Sequence, residues 1–278
     1  ASAPWTNYIR GVAYHLQEAG FVLTGFDGLV QSTVPISSGL SSSAALEVAT
    51  ATLFRLLGGW TIDPLQMALI CQRAENRFVG MNCGILDQYS SVFGRAGCAL
   101  LLDCRHLTSE SVPIASGMQV VICDTRARRE LTGSEYPERR AQCEEGARII
   151  AGFFPQVRTL RDVTLEQLAA CESALSPVVA RRCRFIIEEN ERVLRLREVL
   201  PAGDRAAFSA LAQASYQGAR DLYEIGTLEM EAMIEAITSA PGAIGGRQAG
   251  AGFGGCMVAL VGEERVHDFV RHVEEHYT

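Results

Sequence analysis

Two carboxylates, Glu75 in "QRAENRF" and Asp87 in "CGILDQY", stand twelve positions apart inside otherwise apolar segments. The ordinary place for a lone acid is a solvated helix face. An acid enclosed by apolar neighbours has other uses, holding a divalent cation or handling a proton. Upstream, "VPISSGLSSSAALEVATATLF" runs loop-forming Ser and Gly straight into the alanines and leucines of a good helix. One hydroxyl is enough to cap a helix, worth about 1 kcal/mol. Three consecutive serines, Ser41 to Ser43, behind Gly39 exceed that need. Free N–H groups and hydroxyls at a helix opening suit a phosphate, and the helix dipole adds roughly 0.3–1 kcal/mol per charge. An anion cradle, a carboxylate with a hydroxyl for Mg²⁺ and a second carboxylate for an attacking hydroxyl are the parts of phosphoryl transfer.

Two further segments carry less specific signals. "GGRQAGAGFGGCMVAL" holds six glycines between Gly245 and Gly255, more than a hairpin turn requires, which points to close backbone approach to a ligand or to another loop. "DTRARRELTGSEYPERRAQCEEGARII" reads mostly as a solvated helix face with Glu–Arg pairs. Tyr136, beside Ser134 and Glu135 where that helix opens, is its candidate ligand contact.

The elements that must position these residues follow from periodicity. Tyr8–Leu16 reads as a helix stopping at Gly20, and "FVLTGFDGLVQSTV" as two strands around a Phe26–Asp27–Gly28 turn. The helix after Ser42 is expected to bury Ala45, Leu46, Ala49, Leu53 and Leu56 and to end at Gly58–Gly59. Another helix runs from Asp63 to about Phe78, with Thr61 before it and Pro64 in its first turn. A short helix carries Asp87 in its first turns, and strands follow at "CALLLDC" and "QVVICDT". Helices are expected at Tyr136–Ile150, Pro177–Leu200, Asp204–Ser215 and Leu228–Ile237, then a β–β–α ending whose helix begins near Glu263. Strands mixed with helices, without regular β–α–β alternation, indicate an α+β fold in two lobes. The polar stretch "HLTSESVPIASGM" marks the boundary, dividing the chain into 1–113 and 114–278.

Composition narrows the chemistry. The 278 residues carry a net charge of −7 with no basic run, which argues against a nucleic-acid binder. No apolar stretch approaches the roughly 20 residues of a membrane span. The opening "ASAPWTNYIRG" lacks the basic flank and apolar centre of a signal peptide, so the expected location is the cytoplasm. Nine cysteines without a C-x-x-C pair or clustering with the five histidines read as scattered thiols rather than zinc ligands or disulfides. All 25 basic residues are arginine. Walker-A sites and protein kinases both place a lysine on the phosphates, so both are excluded.

Taken in order, "PISSGLSSSAALEVAT", "AENRFVGMNCGILDQYSSVFGRAGCALLLDCR", "SEYPERRAQCEEGAR", "RDLYEIGTLEMEAM" and "GGRQAGAGFGGCMVAL" resemble the galactokinases of the GHMP small-molecule kinase superfamily nearly end to end. The resemblance implies a two-lobed α+β fold, the N-terminal lobe like domain 2 of ribosomal protein S5 and the C-terminal lobe ferredoxin-like. It implies phosphorylation of the galactose 1-hydroxyl by ATP with Mg²⁺, in a monomer whose partners are sugar and nucleotide. Ser37, Ser38, Gly39, Leu40, Ser41, Ser42 and Ser43 would contact the ATP phosphates, and Trp5 would border adenine. Ser43 and Glu75 would hold Mg²⁺. Asp87 would face the sugar hydroxyl as catalytic base, with Gly84 and Tyr136 also at the sugar, and the Gly250–Gly255 loop would close the site. The family's first motif, resembling G-E-H-x-D-Y and preceded by an arginine, has no counterpart before Trp5, so the chain reads as lacking the family's N-terminal segment and extreme C-terminus. Ser37 and Ser38 replace usual glycines, and "QAGAG" stands where "MTGGG" is common. Galactokinase-like sugar sensors, and related kinases for N-acetylgalactosamine or galacturonate, are the alternatives within the resemblance. The intact "GLSSSAA" favours the enzyme over the sensor.

Overall fold

Helix α1 (Thr6–Glu18) starts the described part of a computed structural model that covers residues 4–36, 40–127, 135–250 and 252–277. The chain divides into two units, Ala1–Pro113 and Ile114–Thr278. In the first, α1 is followed by α2 (Ser42–Gly58), α3 (Pro64–Arg73), α4 (Leu86–Phe93) and the antiparallel hairpin of β1 (Cys98–Asp103) and β2 (Thr108–Pro113). Val12, Leu16, Ala51, Phe54, Met67 and Ile70 form the core where α1, α2 and α3 meet. Gly11, costly inside a helix by about 1 kcal/mol, has a packing reason: a Cβ there would lie 3.0 Å from Phe78 Cβ and 3.2 Å from Ala74 Cβ.

Local chemistry sets the helix ends. Gly20, just past α1, and Gly59, capping α2, both take left-handed φ values, as the sequence leads one to expect. Helix α3 is capped by Asp63, whose Oδ2 accepts from Gln66 N at 3.0 Å, with Pro64 in its first turn. Beyond Arg73 it continues as a π-helical turn, Ala74–Val79, closed by Gly80 at φ 90°. Such turns insert one residue into the ladder and recur at functional sites. Glu75 lies in this one.

Two sequence expectations need correction. Residues 21–34 form no strand, because no neighbouring strand among the described residues takes up their backbone groups. Phe21 stacks on Trp60 at 4.3 Å, Trp60 Nε1 donates to Val22 O at 3.1 Å and Phe26 meets Phe54 edge-on, while Leu29 is 93% exposed. The buried face of α2 is Ala44, Glu47, Thr50, Ala51 and Phe54, not Ala45, Leu46, Ala49, Leu53 and Leu56. Leu53 and Leu56 are exposed, since the core contacts of α1 and α3 lie on the other stripe. The polar stretch from His106, in which the two units divide after Pro113, contains strand β2, registered from Cys98↔Pro113 to Asp103↔Thr108. Asp103 builds the turn by accepting from Arg105 N and His106 N through Oδ1.

The second unit contains β3 (Met118–Asp124), α5 (Glu135–Phe153), α6 (Leu165–Cys171), α7 (Pro177–Ala202), α8 (Arg205–Gly218), α9 (Leu228–Ser239), β4 (Ala243–Gln248), β5 (Cys256–Gly262) and α10 (Val266–His276). Its sheet is antiparallel in the order β3-β5-β4. Central β5 buries Met257, Ala259 and Val261 completely, matching a strand that is paired on both edges. All nine cysteines are free thiols. Among the described residues no helix is long and apolar enough to cross a membrane.

Candidate active site

The opening of α2 does not behave as a plain cap. Ser41, its N-cap, sits in the left-handed region at φ 58° and makes no side-chain capping bond. A capping serine normally adopts extended backbone and aims its oxygen at the next N–H groups. Here the first turn, Ser42 and Ser43, keeps those donors free of a Ser41 cap, as an anion cradle requires. Leu40 leads into it; Ser37, Ser38 and Gly39 lie outside the described residues.

Glu75 lies in the π turn and is only 7% exposed. Its carbonyl accepts from Gly80 N and Met81 N, each at 3.0 Å, fixing the turn that follows. Its carboxylate Oε2 accepts from Gln88 Nε2 at 2.6 Å and from the Cys83 thiol at 3.5 Å. Asn76 pins the loop before α4: Oδ1 accepts from Cys83 N at 2.8 Å and Nδ2 donates to Cys83 O at 3.2 Å. Burial, then the Glu75 charge, pushes the Cys83 thiol up to about 12, so it remains a donor.

Gln88 follows Asp87 in α4 and is completely buried. Its Nε2 donates at 3.0 Å to Oε2 of Glu47, on α2, which is equally buried. Burial pushes Glu47 up to about 8; the Gln88 hydrogen bond opposes this and the nearby Glu75 and Asp87 charges add to it. Glu47 Oε1 and Gln88 Oε1 are both buried without a partner among the described residues.

Asp87 lies in the first turn of α4, where the helix dipole favours a negative charge, and is half-buried. Gly84 is exposed with open space around it, so a group could approach its backbone. The Tyr8 hydroxyl, on α1, is pushed up by burial and then by the charges of Glu75 and Glu47. Trp5 stands 49% exposed at the start of α1. Tyr136 lies in the first turn of α5, and its side chain is outside the described residues.

The glycine-rich loop joins β4 to β5. Gly250, Gly252, Phe253, Gly254 and Gly255 all have positive φ. A Cβ on Gly252 would lie 2.7 Å from Ile225 Cβ and 2.8 Å from Ile225 O, and Phe253 N donates to that same oxygen at 2.9 Å. The loop therefore makes the close approach to another loop that its composition suggested.

The donor set fits a magnesium ion carried by a nucleotide. Glu75 Oε2 is held by an amide and a thiol, while no hydrogen bond among the described residues engages Oε1. Among those residues no group of three or more His, Cys, Asp or Glu could form a protein-only metal cage. Mg²⁺ in phosphate chemistry needs no such cage, taking one or two protein oxygens with phosphates and water. Glu75 is bonded to Gln88, the residue after Asp87 in α4, whereas the roles of Glu47, Gln88 and Asn76 are not visible in the sequence. The signal for Glu47 was available: it sits midway along the stripe Ala44, Ala51, Phe54.

A helix opening without a serine cap, a buried acid in the π turn and a second acid in the first turn of α4 lie in the same unit of the chain. Residues 7–95 match the family described as GHMP kinases N terminal domain, and residues 196–278 that described as GHMP kinases C terminal. The chain belongs to the GHMP kinase superfamily, with strong homology to its galactokinases. It is 43% identical over 273 residues to the galactokinase of Roseiflexus sp. (strain RS-1), covering 98% of this chain and 70% of that protein. To the galactokinase of Chloroflexus aggregans (strain MD-66 / DSM 9485) it is 44% identical over 266 residues, covering 96% of this chain and 68% of the relative. The crystal structure of Lactococcus lactis galactokinase complexed with galactose superposes with a TM-score of 0.87 at 32% identity, covering 100% of this chain and 72% of that one.

Proposed function

We propose that the chain is a galactokinase, transferring the γ-phosphoryl group of ATP to the 1-hydroxyl of galactose and releasing galactose 1-phosphate and ADP. The observation that carries this is 43–44% identity to galactokinases across 96–98% of the chain. The geometry supports it: the α2 opening lacks a serine cap and Glu75 is held by a neighbour of Asp87.

In this reading Ser37 to Ser43 and the first N–H groups of α2 receive the phosphates, with Trp5 beside the adenine. Ser43 and Glu75 hold Mg²⁺, which when bound neutralises phosphate charge and fixes the γ-phosphoryl group. Asp87 accepts a hydrogen bond from the galactose 1-hydroxyl and takes its proton as the oxygen lone pair bonds to phosphorus and the bond to the β-phosphate oxygen breaks. The open backbone at Gly84 contacts the sugar. Positioning and charge stabilisation suffice, so no lysine is required. The protein works in the cytoplasm as a monomer.

The test is a coupled ADP-release assay with chromatographic detection of sugar 1-phosphate, run over galactose, N-acetylgalactosamine and galacturonate. Galactose 1-phosphate as the dominant product supports the reading. Tight ATP and galactose binding without product would instead identify a sensor.

A further inference from the structure

We propose that Gln88 is a positioning residue for the divalent cation: its carboxamide, seated on the buried Glu47, aims the Glu75 carboxylate at the metal. The inference rests on the phosphoryl-transfer reading and adds two residues to it. A primary amide has two N–H donors, and Gln88 Nε2 commits them to two acids, Glu75 Oε2 at 2.6 Å and Glu47 Oε2 at 3.0 Å. The reversed amide would press Oε1 against the Glu75 carboxylate, so that contact fixes the orientation.

Glu47 is the unexpected member. It occupies a core stripe whose other members are Ala44, Thr50, Ala51 and Phe54, where a leucine would pack without any polar penalty. Its Oε2 bonds Gln88, and that bond accounts for an acid at this depth. Glu47 stands one helical turn after Ser43, Glu75 lies in the π turn after α3 and Gln88 directly follows Asp87. One amide therefore ties together the three segments that carry the phosphate cradle, the metal ligand and the base. A flexible glutamate with one oxygen held and the other open loses little further freedom when a cation arrives.

The test measures metal binding apart from turnover. Mn²⁺ is titrated by electron paramagnetic resonance into the purified protein with a non-hydrolysable ATP analogue, for wild type, Gln88→Met, Glu47→Leu and Glu47→Gln. Gln88→Met and Glu47→Leu are expected to raise the Mn²⁺ dissociation constant about 10–100-fold, the usual range for losing an outer-shell partner. Glu47→Gln still offers an oxygen to Gln88 and stays close to wild type. Binding of the analogue in EDTA is unchanged, which a general loosening of the fold would not allow. Should Gln88→Met fail to fold by circular dichroism, Gln88→Asn keeps the amide but shortens its reach, with the same weakening expected. Wild-type Mn²⁺ affinity in a folded Gln88→Met or Gln88→Asn protein overturns the proposal. Because the readout is binding, it decides this point whether or not the wild type phosphorylates galactose; lack of turnover would overturn the functional reading alone.

Discussion

The two units each contain a buried polar cluster among their described residues, and the two clusters are built on opposite principles. In the second unit the Arg182 side chain is only 2% exposed, yet its donors are engaged: Nε by Gln142 Oε1 at 2.9 Å, Nη1 by Leu222 O and Nη2 by Glu224 Oε2 at 2.6 Å. Glu224 also receives Arg181 Nη2 at 2.9 Å, and Arg139 Nη2 donates to its carbonyl at 3.2 Å. In the first unit the Glu47–Gln88–Glu75 cluster has two orphan oxygens, and Glu75 keeps an oxygen with no hydrogen bond among the described residues. A cluster with opposite charges matched holds a fold together; one that gathers acids around a single amide is arranged for something still to bind.

The sharpest break in this comparison is Asp87→Ala. Removal of a residue that handles the proton is expected to lower kcat by roughly 10²–10⁴-fold, while the melting temperature moves by no more than about 2 °C, because Asp87 is half-buried and outside the core clusters. Undiminished turnover would remove Asp87 from its role. Glu224→Gln should do the reverse. It leaves the Arg182 charge buried without its counterion and should cost about 3 kcal/mol. The half-exposed Arg181 contact adds little to that figure. Urea unfolding reads the loss, and Arg182→Met should cost less, because the liberated Glu224, 43% exposed, can hydrate. Equal costs would mean that the network is not organised around the buried charge.

A smaller effect probes the glycine loop. Gly252→Ala meets both an unfavourable φ of 81° and the Ile225 backbone oxygen at 2.8 Å, so a loss of about 1–3 kcal/mol is expected. An unchanged denaturation midpoint would show that the contact with Ile225 is not needed.

What was legible in the chain follows from how local each signal is. Caps, glycine stops and helical periodicity act within a turn or two, and they placed α1, α3, α4, α7, α8 and α9 to within a few residues. The Ser41–Ser43 opening, Glu75 and Asp87 stood out because their types were unusual for their surroundings. Residues 21–34 misled because alternation describes a strand's faces but not whether a partner exists. The face of α2 was misassigned because alanines and leucines line both stripes, and the choice between them is made by α1 and α3. That error hid Glu47. Gln88 could not be recognised at all, since an amide's role depends on the two acids it meets, 41 and 13 positions away. The "RDLYE" stretch, noticed as a family feature, turns out to supply the Leu222 carbonyl and Glu224 carboxylate that hold Arg182.

The least dramatic measurement separates the clusters by sign. Arg182, through its hydrogen bond, holds Glu224 below the ordinary 4.5, so its contribution to stability is present above that value and fades as pH falls. Glu47 is displaced the other way, from 4.5 up to about 8, chiefly by burial. Between those values the folded chain binds one proton more than the unfolded chain. Stability therefore falls as pH rises through the window, and the contribution of Glu47 is fully present only below 4.5. Urea unfolding of the metal-free protein at intervals from pH 5 to 8 should show this decline in wild type and a flatter profile in Glu47→Gln, which has no proton to lose. Glu224→Gln should keep the decline, at lower stability throughout. A wild-type profile that rises with pH across this range, with Glu47→Gln parallel to it, would mean that Glu47 is already ionised in the folded chain and that Gln88 bridges two negative charges instead of one acid and one carboxylate.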